Sequence, residues 1–338
     1  MKFLVIGLGS MGKRRVRCLK SLNEKEIYGF DLREDRRKET KEKYGIEVYS
    51  EINKAFESAE PDAIIISVPP DKHMEYMRMA AGKNIHFFVE ASVVDEGMQE
   101  LIKTLKAKKI VAAPSATMMF HPAIKLISKI VKSGELGKVS NVLFHSGQHL
   151  PDWHTYEKVS EYYVSNPATG GGREIVPFEL TWFTMVFGFP KKVAGNFRKT
   201  IEIEGAPRID DTYNCLLDYG GFLSVFTVDV VSRYATRRLT VNGSEKQLYW
   251  SWDENVIKIF DPKTEKWEER SYEMAKAQDG YNANIGENMY IDEIRNFISA
   301  IEGKSGFINT MEDDHKVLKL LYLIEASDRQ ARIEEVKF

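Results

Sequence analysis

The sequence predicts two domains of different class. The first is an α/β domain built on a doubly wound parallel sheet. The second is an α+β domain with an open, mostly antiparallel sheet and helices on one face. Three observations lead there. Apolar β-branched runs alternate with helical patterns through the first third of the chain. A glycine-rich turn joins the first run to the first helix. Beyond about residue 120, paired strands separated by tight-turn residues take over. A chain of 338 residues can bury two cores, so the expected boundary gives domains 1–120 and 121–338, the last helix being free to pack back on the first domain.

The first element is the run Phe3 to Ile6, followed by Gly7, Gly9 and Gly12 in G-x-G-x-x-G spacing and by apolar helix positions at Val16 and Leu19. Strand, glycine turn and helix in that order form the dinucleotide-binding (Rossmann) fingerprint. Gly7 permits the turn, Gly9 lets the backbone approach a pyrophosphate, and Gly12 lets helix and strand pack closely. Ser10, Met11 and Gly12 open the helix and offer backbone N–H groups to phosphate. Asp31 ends the second run, Ile27 to Phe30, 19 residues past Gly12. An acid there accepts the ribose hydroxyls and repels a 2′-phosphate, so the expected cofactor is NAD rather than NADP. Arg33, Arg36 and Arg37 blur this preference, because an arginine beyond the strand can hold that phosphate. A P-loop reading of the same residues fails, since Arg14 stands where it needs Ser or Thr.

The following elements are a charged helix over 33–43, a short strand at Val48-Tyr49, and a helix capped by Ser50. Ala63 to Val68 reads as a strand covered on both faces. Helices are expected near 72–81 and 97–106, with strands at 85–90 and 110–113, then a helix over 121–132 stopped by Gly134. Hairpins are expected around Gly220-Gly221 and Asn242-Gly243. Helices near 285–301 and 311–326 close the chain. Phe222, Phe226 and Val228 share one strand face and Leu223 and Val225 the other, so the sheet has a second apolar face to cover. A homodimer or homotetramer is the expected answer.

Composition narrows the function. With 43% hydrophobic and 29% charged residues, the chain reads as an ordinary soluble globular protein. The net charge of −2 argues against a nucleic-acid partner, and the cluster Lys13-Arg14-Arg15 is expected near phosphates or solvent. No run reaches the ~18–20 apolar residues of a membrane span. The apolar start is too short for a signal peptide, and two isolated cysteines point to a reducing compartment, so an unprocessed cytoplasmic protein is expected. His145 and His149 would lie ~13 Å apart along a strand, too far to share one ion, and no metal site is expected.

Several further motifs resemble the glucose–fructose oxidoreductase/inositol dehydrogenase (Gfo/Idh/MocA) family over essentially the whole chain. They are the glycine loop, Val68-Pro69-Pro70-Asp71-Lys72-His73, Gly82-Lys83, Phe120-His121-Pro122, Ser133-Gly134-Glu135-Leu136-Gly137-Lys138, and Gly170-Gly171-Gly172 before a helix. The resemblance implies a hydride transfer at a carbon of a sugar, phosphosugar, nucleotide sugar or cyclitol. It adds Ser67, Val68, Pro69, His73, Glu90 and Ala91 to the cofactor contacts. Two departures fall on the chemistry. The family's E-K-P is Glu90-Ala91-Ser92 here, without the lysine. Counting back from Gly188, the family's catalytic His falls on Phe178 and its Asp on Glu174.

The proton must then pass through another group. Candidates lie in the stretch Gln148 to Tyr156 and after the three glycines. Glu174 and His154 are the expected acid–base residues, and His149, Trp153, Tyr156, Arg173 and Glu179 the expected substrate contacts. Arg173, next to Glu174, would oppose any rise in that acid's pKa. The lost lysine also suggests an alternative, a non-catalytic regulator that binds NAD(H) and a sugar.

Overall fold

The computed structural model describes residues 1–153, 157–274 and 286–338. The chain divides into two compact units: Met1–Thr117 with Asn288–His315, and Met118–Glu287 with Lys316–Phe338.

The first unit holds six parallel strands, β1 (Lys2–Ile6), β2 (Glu26–Phe30), β3 (Glu47–Tyr49), β4 (Ala63–Ile66), β5 (His86–Val89) and β6 (Ala112–Pro114), in the order β3-β2-β1-β4-β5-β6. Helices α1 (Ser10–Ser21), α2 (Glu34–Tyr44), α3 (Ile52–Ala59), α4 (His73–Lys83) and α5 (Met98–Leu105) connect them. The central strands are apolar without alternation because both faces are covered: Phe3 to Ile6, Ala63 to Ile66 and Phe87 to Val89 are fully buried. Strand order reverses between β1 and β4, and such a switch point opens a crevice at the carboxyl ends. Register pairs Ile6 with Ile66, so Gly7 and Ser67 leave the sheet side by side.

The second unit contains α6 (Pro122–Ser133), β7 (Val139–His149) and α7 (Gly172–Phe187). Strands β8 (Lys192–Arg198), β9 (Thr212–Asp218), β10 (Leu223–Asp229), β11 (Val231–Gly243), β12 (Gln247–Ser251), β13 (Val256–Asp261) and β14 (Lys266–Ser271) follow. Helix α8 (Glu287–Ile301) belongs to the first unit from Asn288 onward; α9 (Met311–Gln330) is divided between the units at His315, and β15 (Glu334–Glu335) ends the sheet. The nine strands run in the order β14-β13-β12-β11-β7-β10-β9-β8-β15. Every pair is antiparallel except β7 with β10, a parallel pairing that the hairpin signals do not reveal.

Side chains alternate across this sheet. Phe144, Cys215 and Phe226 are aligned on β7, β9 and β10 and point inward, at 2% exposure or less. Leu143, Leu216 and Val225, one residue earlier or later on the same strands, are 42%, 60% and 37% exposed. Among the described residues no helix is long and apolar enough to cross a membrane.

Candidate functional site

In the first unit the glycines of the β1–α1 turn have different physical reasons. Gly7 has φ +88°, and a Cβ there would stand 2.5 Å from the Ser67 carbonyl oxygen. A Cβ on Gly12 would stand 1.8 Å from the Gly7 carbonyl oxygen. Both are therefore imposed by the packing of the turn. A Cβ on Gly9 would meet only the end of the Arg36 side chain, at 3.4 Å. Its smallness is not required by the backbone and fits the close approach of a ligand. The first helical bond runs from the Lys13 amide to the Gly9 carbonyl at 3.0 Å. The first turn of a helix presents its amides and its positive dipole end outward, which suits an anionic pyrophosphate.

Asp31 locks this turn to the end of β2. Its Oδ2 accepts the Leu8 amide at 2.7 Å and its Oδ1 the Arg33 amide at 2.8 Å. Each oxygen keeps a lone pair for a ribose hydroxyl. Arg36 lies 3.9 Å from Oδ2, Arg37 donates to the Asp31 and Leu32 carbonyls at 2.8 Å, and the Arg33 guanidinium is bound to Asp35. Residues Gly7 to Gly12, with Asp31, thus fit a dinucleotide.

The remaining first-unit candidates lie at the ends of β4 and β5. His73 is buried, and its Nε2 donates to the Val68 carbonyl at 2.9 Å, bracing the Val68-Pro69 turn. Burial pushes its pKa down to about 4 against the pull of that carbonyl, so the ring is neutral. Glu90 is part-buried and held by its neighbours. Arg15 grips it with two bonds of 2.7 and 2.8 Å, and Ser67 donates to it at 3.1 Å. Arg15 also donates to Glu293 at 2.8 Å. Glu293 in turn accepts the Ala116 amide and the hydroxyls of Ser115 and Thr117 at 2.6, 3.0 and 2.8 Å.

The expectation of a basic cluster near phosphates or solvent is corrected here. Lys13 does pair at the surface, with Glu39 at 2.6 Å. Arg14 is 2% exposed, with its guanidinium 4.1 Å above the Tyr290 ring, and Arg15 is fully buried. The signal was present in part: Arg15 shares the inward stripe of α1 with Gly12, Val16 and Leu19. Its partner Glu293 lies 278 residues away, beyond any local pattern.

Ala91 presents no polar group. Ser92 beside it is 5% exposed, and its hydroxyl lies near the Asp314 carboxyl without closing a well-formed hydrogen bond. Asp314, 4% exposed, likewise has an unpartnered Oδ2. Burial pushes its pKa up to about 7, with the Ser92 hydroxyl pulling the other way. Sequence reading passed over Asp314, since in a helix opening Glu312-Asp313-Asp314 it looks like an ordinary end charge.

In the second unit the glycine run places the start of α7. A Cβ on Gly170 would stand 2.1 Å from the Val164 carbonyl oxygen, and Gly171, at φ +64°, 2.7 Å from that of Asp210. Glu174 follows in the first turn. Its Oε1 accepts the Tyr163 hydroxyl at 2.6 Å, while its Oε2 is buried with no hydrogen-bond partner. Burial pushes Glu174 up to about 7, and the Tyr163 bond opposes the rise.

Arg173 does not act on Glu174. It points to the far side of the helix, where its Nε donates to Glu325 at 2.6 Å and its Nη1 to the Ala168 carbonyl at 2.5 Å. Successive helical residues diverge by about 100°, which separates the two neighbours. Glu179 is fully buried. Ser146, Trp182 and Arg237 all donate to it, so it clamps α7 to the sheet rather than facing a ligand. His149 accompanies Asp152 at 3.2 Å and Arg233 at 3.4 Å. Trp153 packs on a cluster containing Leu150, Val159 and Val164, and its Nε1 is buried without a partner. His154 and Tyr156 lie outside the described residues. Among the described residues no group of three or more His, Cys, Asp or Glu is placed to hold a metal.

Comparison with known proteins agrees with this architecture. Over 99% of both chains, the sequence is 23% identical to a myo-inositol 2-dehydrogenase of Thermotoga maritima. Levoglucosan dehydrogenase, solved in complex with NADH, superposes with a TM-score of 0.85 at 15% identity, covering 100% of this chain and 99% of that one. An oxidoreductase from Agrobacterium radiobacter, solved with NAD+, L-tartaric acid and magnesium, gives 0.84 at 13% identity, covering 99% and 98%. Residues 1–114 match the Gfo/Idh/MocA model described as an oxidoreductase family with an NAD-binding Rossmann fold, and residues 124–249 match the C-terminal domain model of the same family. The two halves agree on one lineage, and the chain belongs to the Gfo/Idh/MocA oxidoreductase family.

Proposed function

We propose that this protein is a cytoplasmic NAD-dependent oxidoreductase that transfers a hydride to or from a CH–OH carbon of a sugar, phosphosugar, nucleotide sugar or cyclitol. The glycine loop, Asp31, Val68-Pro69 and His73 would hold and shape the cofactor side. NAD, when bound, supplies the hydride acceptor. The chain's own task is the proton of the substrate hydroxyl, and Glu174 is the group we assign to it. The observation that carries this assignment is its carboxyl at the start of α7, with one oxygen bound to Tyr163 and the other unpartnered. A pKa of about 7 suits transfer in either direction at neutral pH. As the C–H hydride leaves, the O–H proton passes to Oε2, and the carboxylate becomes the neutral acid.

The test is nicotinamide absorbance across a panel of sugars and cyclitols. Under saturating NAD, Glu174→Gln should lower kcat by ~10²–10⁴-fold with NADH affinity unchanged. A loss below tenfold refutes the assignment. Ala91, where the family lysine would stand, supports a second reading: a regulator that binds NADH and a sugar without turnover. Ligand-dependent stabilisation with no absorbance change in any panel member would put that reading first.

We also propose that the outward stripe of Leu143, Leu216 and Val225 is covered by a second copy of the chain. These three apolar side chains stand in cross-strand register on an open face. Val225→Lys should shift the sedimentation coefficient from dimer or tetramer towards monomer; a parent that is monomeric at micromolar concentration excludes the interface.

A further inference from the structure

We propose that Tyr163 is the positioning residue of Glu174, a phenol delivered by the glycine run that pins Oε1 and leaves Oε2 as the reactive oxygen. The inference rests on the acid–base role given to Glu174 above, but its test does not.

The geometry begins eleven residues before the acid. Tyr163 opens a 3-10 turn, Tyr163–Ser165, and its carbonyl accepts the Asn166 amide at 3.0 Å and the Thr169 hydroxyl at 3.4 Å. The Gly170 amide closes back on the Asn166 carbonyl at 2.8 Å. Val164, inside this turn, is fully buried in the cluster that Tyr162 and Tyr163 also pack against. The turn lies so close on Gly170 that a Cβ there would stand 2.1, 2.4 and 2.5 Å from the Val164 carbonyl oxygen, carbonyl carbon and Cα. No rotamer relieves a clash with backbone. Gly170 thus sets the spacing between the turn and α7 at which the Tyr163 hydroxyl meets Glu174 at 2.6 Å.

The chemistry of the pair is one-directional. A phenol ordinarily ionises near 10, well above a carboxyl group, so at neutral pH Tyr163 is the donor and Oε1 the acceptor. That bond biases the carboxyl towards the orientation in which one oxygen meets the phenol and the other is left without a partner. Among the described residues, two titratable neighbours are engaged or oriented elsewhere. Arg173, next on the helix, is engaged with Glu325, and Tyr162 stands edge-on to Tyr163 with ring centroids 6.1 Å apart. Tyr163 therefore steadies the ionised form of Glu174 against its burial.

The test titrates the apoprotein, labelled with ¹³C at the Glu δ-carbons and Tyr ζ-carbons, by NMR. Glu174→Gln identifies the Glu174 signal. In the parent, Glu174 should titrate near 7, and one Tyr ζ-carbon should move with the same midpoint. Tyr163→Phe keeps the ring and removes the donor, so the Glu174 midpoint should rise by about one pH unit. With a turned-over substrate in hand, the pH profile of kcat should rise by the same amount while KM holds. An unmoved midpoint in Tyr163→Phe, or a parent in which no tyrosine signal follows Glu174, overturns the proposal. The parent measurement stands even if the variant does not fold. A coupled titration with no turnover on any sugar would uphold Tyr163 as the partner of Glu174 and count against the dehydrogenase reading alone.

Discussion

Replacing Asp314 by Asn should make the protein more stable at high pH and leave it nearly unchanged at low pH. The carboxyl is 4% exposed, its Oδ2 has no partner, and burial raises its pKa from the ordinary 3.8 to about 7. At about 1.4 kcal/mol per pH unit, that rise corresponds to about 4 kcal/mol. The sign follows from where the proton sits. Below about 4 the group is neutral both folded and unfolded, and contributes no pH-dependent difference. Between about 4 and about 7 the unfolded chain ionises first while the folded chain keeps the proton, so stability falls as pH rises. Above about 7 the folded state carries a buried charge and the full cost applies. Asn has the same shape and does not ionise. Its gain over the parent should grow from near zero at pH ~4 to as much as about 4 kcal/mol at pH ~8. Urea unfolding followed by circular dichroism at closely spaced pH values measures the difference, using the transition of the first unit if the two units melt separately. A difference that stays flat across this window, or that favours the parent increasingly with pH, would show that Asp314 is ionised in the folded protein and refute the reasoning.

Three further outcomes follow from the same unit. Arg15→Met leaves the fully buried Glu293 and the part-buried Glu90 without their cation and should cost ~3–5 kcal/mol in urea unfolding; a loss under 1 kcal/mol would mean that the network is not a stabilising pair. Gly12→Ala drives a Cβ into the Gly7 carbonyl, so it should abolish NADH binding measured by nicotinamide fluorescence, and retained affinity would contradict the turn geometry. Titrating NADH and NADPH against the parent should show tighter binding of NADH, with Asp31→Ala narrowing the gap; a parent that prefers NADPH would place Arg36 above Asp31 in setting the choice.

Much of the first unit could be read from the chain, because its information is local. The strand, glycine turn and first helix occupy Lys2 to Ser21, and the buried parallel strands announce themselves as continuous apolar runs. The predicted helix over 121–132 appears as Pro122–Ser133 for the same reason: His121 caps it and Gly134, in the left-handed region, ends it. The hairpins at Gly220-Gly221 and Asn242-Gly243 likewise carry their signal within a few residues. Binary alternation marked two faces on β10 but could not say which was inner. Only the pairing with Phe144 and Cys215 decided that Phe226 faces the core.

Tertiary structure decided what lies between distant residues. Arg15 is expected near phosphates or solvent and Glu179 at a substrate, yet both are fully buried, each satisfied by partners from other elements. Arg173 and Glu174 are neighbours in the chain and strangers in space, since a helix turns consecutive side chains apart. Glu174 finds its partner in Tyr163 through a turn whose closeness depends on Gly170, and Asp314 becomes a titrating group only because the fold buries it beside Ser92. The sequence determined the family, the glycine loop and the order of elements, because these depend on short-range periodicity and backbone permissiveness. Desolvation and long-range pairing settled which charges are structural and which carboxyls are pushed up towards neutral pH, and both quantities exist only once the chain is packed.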